Sequence, residues 1–182
     1  MRHRRSSRAS GVVGRIRELA RKADREVIQL DINEVIQEVV ALVQDEIRRH
    51  GAAFRMELAD NLPSVLGDRV QLQQVLLNLI MNGIETMSEI TDRPRELILK
   101  TQQDEVDKVC VTVQDSGIGI DPQSLARIFE AFYTTKPQGM GIGLSISRSI
   151  IESHGGRLWA APNDGPGATF QFTLPISKPG AS

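Results

Sequence analysis

Apolar residues recur at helical spacing in two long stretches of the chain. Over Asn33–His50, the positions Val35, Ile36, Val39, Val40, Val43 and Ile47 share one stripe, the pattern of an amphipathic helix. Asn33 is its predicted N-cap. Arg48, Arg49 and His50 suit the negative end of the dipole, and Gly51 suits the stop. Val70–Met87 is apolar nearly all round, through Leu72, Val75, Leu76, Leu77, Leu79, Ile80, Met81, Ile84 and Met87, so that helix is predicted to be buried. Shorter helices are predicted over Gly11–Arg25, over Pro122–Ala131 with Pro122 in its first turn, and over Gly143–Ser153 before Gly155 and Gly156. In Lys108–Gln114 the period changes to two. Val109, Val111 and Val113 alternate with Lys108, Cys110 and Thr112, so one face of a strand is buried. Glu96–Gln102 pairs with it, and Val27–Ile32, Ala53–Leu58, Arg157–Ala161 and Ala168–Leu174 read as further strands. Asn61-Leu62-Pro63, Asp115–Asp121 and Pro162–Gly167 are turns, and Tyr133–Met140 is a loop. This order does not alternate strictly between strand and helix. It predicts an α+β fold of two layers, a mixed and mostly antiparallel sheet backed by helices on one face.

The buried helix carries a narrow polar stripe. Gln71, Gln74, Asn78, Asn82 and Glu85 follow one another at intervals of three or four residues, a band roughly 80° wide at the helical period. A buried amide without a partner costs about 1–3 kcal/mol. Either the two asparagines bond neighbouring backbone, or with Glu85 they line a cavity. Two carboxamides one turn apart beside a carboxylate favour the cavity. Their oxygens are hard donors that suit Mg²⁺, an ion that shares its shell with water and substrate phosphates.

Two glycine motifs follow. Asp115-Ser116-Gly117-Ile118-Gly119-Ile120 continues directly from the alternating strand. As a bland reading it is an Asp-Gly turn. As a site, it sets a carboxylate at a strand end, where it could accept from a ligand amine while glycine backbone admits a flat ring. Gly139-Met140-Gly141-Ile142-Gly143-Leu144-Ser145 leads into a helix. It is either a flexible connector or an anion site at a helix N-terminus. No G-x-x-x-x-G-K-[ST] occurs, and the dinucleotide fingerprint fails because its sixth position is Leu144. Between the motifs, Phe129 and Phe132 could anchor the start of a lid, and Lys136 is a loop cation within reach of a phosphate.

Composition narrows the classes. The chain has 182 residues and a net charge of -1, one domain with appendages. Its single cysteine, Cys110, excludes an internal disulfide framework, and His3, His50 and His154 show no metal-ligand spacing. No apolar run reaches the ~18 residues of a membrane span and no signal peptide is recognisable, so a cytoplasmic location is expected. Residues 1–25 hold nine Lys/Arg against two Asp/Glu, while the remainder holds thirteen against twenty-one. The basic head, residues 1–10, reads as a solvated tail. No aromatic residue supports it as a nucleic-acid contact, so no nucleic-acid partner is expected.

Taken together these residues resemble a known set. Gln74–Met87 is similar to the N box of sensor histidine kinases, within the GHKL ATPase superfamily. Asp115–Ile120 is similar to the G1 box, Ile128–Phe132 to the F box and Gly139–Leu144 to the G2 box. The resemblance covers roughly residues 27–176. It implies a Bergerat fold, with ATP and Mg²⁺ held between helices and sheet beneath a lid. It implies that Asp115 contacts the adenine amino group, aided by Thr169. It implies that Asn82 ligates Mg²⁺, that Asn78 lies near the phosphates, and that these two asparagines carry the catalytic role. Glu85, Gly117, Gly119, Ile120 and Phe132 join the nucleotide-binding set. Gly139, Gly141 and Gly143 would cradle phosphate with Leu144 beside them, and Lys136 would be a lid contact.

The departures are informative. Gly83 stands where alanine is usual, the lid is short, and no histidine lies in an H-E/D-x-x-x-P context. Residues 11–26 resemble only the end of a dimerisation and phosphoacceptor domain, and residues 177–182 read as a loose tail. The resemblance therefore implies a catalytic domain that positions Mg·ATP for γ-phosphoryl transfer to a histidine on another domain or chain, with a response regulator downstream. A GHKL serine kinase and a nucleotide-dependent binding module without turnover are the rival expectations. A GHKL hydrolase would place a catalytic glutamate where Asn78 stands.

Overall fold

The computed structural model describes residues 26–105, 107–136 and 141–178. The predicted tail 1–10, all but the last residue of segment 11–26, and Gly139 lie outside the described residues. The elements are β1 (Val27–Leu30), α1 (Ile32–Arg49), β2 (Ala53–Leu58), β3 (Val65–Asp68), α2 (Arg69–Met87), β4 (Glu96–Asp104), β5 (Lys108–Asp115), α3 (Gly143–Ser153), β6 (Arg157–Pro162) and β7 (Ala168–Pro175). Five strands form one sheet in the order β2-β4-β5-β7-β6. The β2–β4 pair is parallel and the other pairs are antiparallel. β1 and β3 form a separate antiparallel pair. This is the expected two-layer α+β arrangement. Leu97, Leu99, Val109, Val111, Val113, Phe170 and Phe172 of the sheet join Val39, Leu76, Leu79 and Ile80 of the helices in one core. Among the described residues no helix is long and apolar enough to cross a membrane.

Several local readings change. The N-cap of α1 is Asp31, whose carboxylate accepts from Asn33 N–H, and the helix begins at Ile32. The Asn33 side chain instead donates to the Ala59 carbonyl (2.9 Å) and accepts from the Thr101 hydroxyl (2.9 Å), tying α1 to the sheet. β3 is an added strand, too short to show a period. Residues 122–131 form successive turns rather than an α-helix, with Ser124 N–H bonded to Asp121 and Arg127 N–H to Ser124. Pro122 supplies no donor there, and only Ile128 and Phe129 of the segment pack on the core. On β5, the middle strand of the sheet, both faces are buried: Cys110 is 2% exposed, flanked by its cross-strand partners Gln102 and Thr173. Ser177 is no loose end, since its amide donates to the Ser64 carbonyl (2.7 Å) and its hydroxyl accepts from Gln29 (2.7 Å).

His154 also has more to do than close a helix. The Asp68 N–H donates to its Nε2 (3.0 Å). The proton must then sit on Nδ1, which donates to the Ile150 carbonyl (2.7 Å). A neutral imidazole thus joins the end of α3 to the residue that caps α2.

Candidate functional site

The start of α2 is fixed by Asp68, whose carboxylate accepts from Gln71 N–H (3.0 Å). From there the polar stripe runs past α3 and the lid. Asn78 Nδ2 donates to the Gly143 carbonyl (3.3 Å) and the Ser147 hydroxyl (3.2 Å), which ties α2 to the first turn of α3. One turn on, the Lys136 ammonium donates to Asn82 Oδ1 (2.8 Å) and to Glu85 Oε2 (2.6 Å). Three predicted site residues therefore meet at one point, with Lys136 more than fifty positions from the other two in sequence. The two oxygens converge on a cation, and a carboxamide with a carboxylate is a hard donor pair that fits Mg²⁺.

Packed beside α2 at Gly83 and Thr86 stands Asp115, the last residue of β5 and only 4% exposed. Its Oδ1 accepts from Gly117 N–H (2.9 Å) and the Thr86 hydroxyl (3.3 Å). Burial pushes this carboxyl above the usual carboxylate range. The Gly117 and Ala168 amides, Thr86 and the Lys136 charge pull it partly back. Glycine is required around it. A Cβ on Gly117 would collide with Thr86, and one on Gly167, which sits at φ +94°, would drive into the Asp115 carbonyl. Gly119 rests against Gly167, Ile120 packs at the edge of the core, and Ile118 just before them is exposed.

Thr169 departs from expectation. It pairs with Gln114 across β5–β7, one residue short of Asp115, so its side chain lies on the opposite face of the sheet from the carboxylate. Strand alternation gives the inward position to Ala168. The Thr169 hydroxyl donates to Asn163 Oδ1 (2.6 Å), and Asn163 Nδ2 donates to the Asp115 main-chain carbonyl (2.9 Å). Thr169 thus reaches Asp115 only through Asn163.

Between the two glycine motifs the chain is anchored on the sheet and on α3. Phe129 meets Phe170 edge to face at 6.4 Å, and the Arg148 guanidinium lies over Phe129. Phe132 is 79% exposed, at φ +67°, with its N–H bonded to the Gly141 carbonyl (2.8 Å). It faces solvent rather than the cleft. Gly141 fits only because its α-carbon is bare against Phe132 and Tyr133. Gly143 and Leu144 open α3, and the cap residue Ile142 offers no side-chain acceptor to the first amides. Those amides lie beside Asn78 without a side-chain cap, an arrangement that suits an anion.

Asn163, Thr86 and Arg93 are site residues that sequence reasoning missed. Arg93 donates to the Ser116 (3.4 Å) and Gly117 (2.9 Å) carbonyls. An asparagine and an arginine in turns carry no signal of this role, which depends on strand register.

Comparison with known proteins follows the same lines. The model of the histidine kinase-, DNA gyrase B-, and HSP90-like ATPase family matches residues 67–178. The chain is 41% identical over 170 residues to the sensor protein FixL of Bradyrhizobium diazoefficiens, covering 93% of this chain and 33% of that one. It resembles the nucleotide-free catalytic domain of histidine kinase ThkA with TM-score 0.74 and 37% identity, covering 83% of this chain and 96% of that one. A structure of ThkA in complex with the response regulator protein TrrA gives TM-score 0.73 at 34% identity, covering 94% of this chain and 48% of that one. The chain spans about a third of the length of the curated relatives FixL and TdiS of Thauera aromatica.

Proposed function

This chain belongs to the histidine kinase-, DNA gyrase B-, and HSP90-like ATPase family, and we propose that it is the ATP-binding catalytic domain of a two-component sensor kinase. The reading rests above all on one observation: Asn82 Oδ1 and Glu85 Oε2 converge on the Lys136 ammonium, whose charge also reaches the buried Asp115 carboxyl. In this reading the Asp115 carboxylate accepts from the adenine amino group. The first amides of α3 receive the phosphates, with Asn78 holding the Gly143 carbonyl out of the way. Asn82 and Glu85 would hold Mg²⁺, which would supply neutralisation of the charge on the transferred group. Lys136 exchanges its two protein oxygens for those of the γ-phosphate and excludes water there. Positioning and charge stabilisation are most of what such transfer requires.

The acceptor imidazole belongs to a dimerisation domain, on another part of the parent protein or another chain, and a response regulator takes the phosphoryl group afterwards. ATP as substrate assigns the work to the cytoplasm. The test combines this chain, γ-labelled ATP and Mg²⁺ with a separate histidine-bearing dimerisation domain. Acid-labile label on that domain, absent from this chain alone and lost in Asn82→Ala and Asp115→Asn, is the expected result. Acid-stable label would mean a serine kinase, and nucleotide binding with no label a binding module.

A further inference from the structure

The turn at the end of β5 offers three consecutive carbonyls, those of Asp115, Ser116 and Gly117, to side chains. Each is held by a side chain from outside the turn. Arg93 takes those of Ser116 and Gly117, and Asn163 takes that of Asp115 itself. Asn163 lies just past β6, and its amide orientation is fixed by its partners. Nδ2 faces two carbonyls, those of Asp115 and Pro166, both at 2.9 Å. Its Oδ1 must then be the atom that accepts from Thr169, at 2.6 Å. The backbone of Asn163 is held as well, its N–H donating to the Gly167 carbonyl (3.2 Å). Gly167 in turn presses on the Asp115 carbonyl. The residue whose side chain would read the base is thus gripped by its main chain, on the side away from the ligand.

We infer that Asn163, oriented by Thr169, is a positioning residue for base selection. It fixes the Asp115–Ser116 peptide and so aims the Asp115 carboxylate at an exocyclic amine. This rests on the proposal that Asp115 receives adenine. At position 6 a 6-amino purine presents a donor to the carboxylate, whereas a 6-oxo purine presents an acceptor that the carboxylate repels. A carboxylate held within about 0.5 Å of its place discriminates between them, and one free to swing does not. Thr169 lies on the outer face of the sheet, so it can affect the base only through Asn163.

The experiment measures binding of ATP and of GTP, each with Mg²⁺, to the full chain at a temperature where circular dichroism shows every variant folded. The variants are Asn163→Ala, Thr169→Val, Thr169→Ser and the double Asn163→Ala/Thr169→Val. Loss of one oriented hydrogen bond corresponds to about a tenfold effect. Asn163→Ala is expected to weaken ATP binding about tenfold and leave GTP unchanged. Thr169→Val should act in the same direction by less, Thr169→Ser should match the wild type, and the double variant should be no worse than Asn163→Ala. An unchanged ATP/GTP ratio in Asn163→Ala overturns the inference, as does a double variant whose losses multiply. Should Asn163→Ala fail to fold, Thr169→Val against Thr169→Ser decides alone: equal ATP/GTP ratios overturn it. Wild type that binds ATP through Asp115, with Asn163 variants unaffected, leaves the functional reading standing and removes only this inference. Wild type that binds no ATP removes both.

Discussion

Gly83→Ala would test how tightly the buried helix is fitted against the base site. Gly83 lies inside α2, one residue past Asn82, where the related motif usually has alanine. A Cβ there would stand 2.9 Å from Leu97 Cδ1, 3.4 Å from Asp115 Cβ and 3.9 Å from Asp115 Oδ2. Only the first contact is too close, and it involves the far end of a flexible side chain. Removing glycine from a helix interior gains about 1 kcal/mol, and burying one methyl group gains about 0.8 kcal/mol more. Pushing Leu97 off its rotamer by some 30° costs about 0.5–1.5 kcal/mol. The balance is a stabilisation of up to about 1 kcal/mol, or a rise in Tm of about 2–4 °C per kcal/mol at this chain length. The contact to Oδ2 is ordinary, so affinity for a fluorescent ATP analogue should stay within about threefold. Thermal denaturation and a binding titration read the two quantities separately. A fall in Tm would show that Leu97 cannot yield in the packed core. A loss of affinity with Tm raised would show that the Asp115 backbone moves instead. Either result refutes the reasoning.

Two further outcomes follow from the same cleft. The Asp115 carboxyl is raised above its unfolded value of 3.8, so the folded protein binds its proton more tightly, and the stability that gives is lost as pH rises through the folded pKa. Asp115→Asn should therefore melt at a higher temperature than the wild type at neutral pH, with an advantage that shrinks as pH falls toward 3.8, while ATP binding is lost; melting curves across pH check the sign. Lys136→Met removes a half-exposed ion pair and should lower stability by less than about 1 kcal/mol. It should weaken ATP binding more than ADP binding, and equal losses for the two nucleotides would remove Lys136 from the γ-phosphate.

Much of this site is legible before folding because its residues conflict with their surroundings. Asn78, Asn82 and Glu85 interrupt an apolar helix, Asp115 ends a valine-rich strand, and glycines cluster where helices should not begin. Such violations of local preference mark function. The sheet's mixed, mostly antiparallel character is legible for a related reason, since periods of two and of 3.6 are not interleaved. What remains hidden depends on contacts between distant segments. β3 is four residues long and shows no period. Thr169 looks like a partner of Asp115 until strand register turns it to the other face. Asn163 and Arg93 look like ordinary turn residues, because no neighbour in sequence shows which carbonyl each will meet. Phe132 is apolar and sits in an aromatic cluster in sequence, yet a left-handed backbone directs it to solvent.

The clamp on Asp115 has a consequence for the order in which the domain comes into being. Asn163 is made 48 residues after Asp115, and Gly167 later still. At ~5–20 residues per second, synthesis takes roughly 2–10 s to cover that interval. Throughout it the strand bearing the carboxylate has neither of its last two supports. On the proposed reading, nucleotide cannot template the early folding of its own pocket, because the base side is completed only after β6 and the turn that follows it have been made. On the same reading, a nascent chain arrested before Asn163 would hold the helix proposed to face the phosphates and Asn82, yet lack the clamp that aims Asp115 at the base.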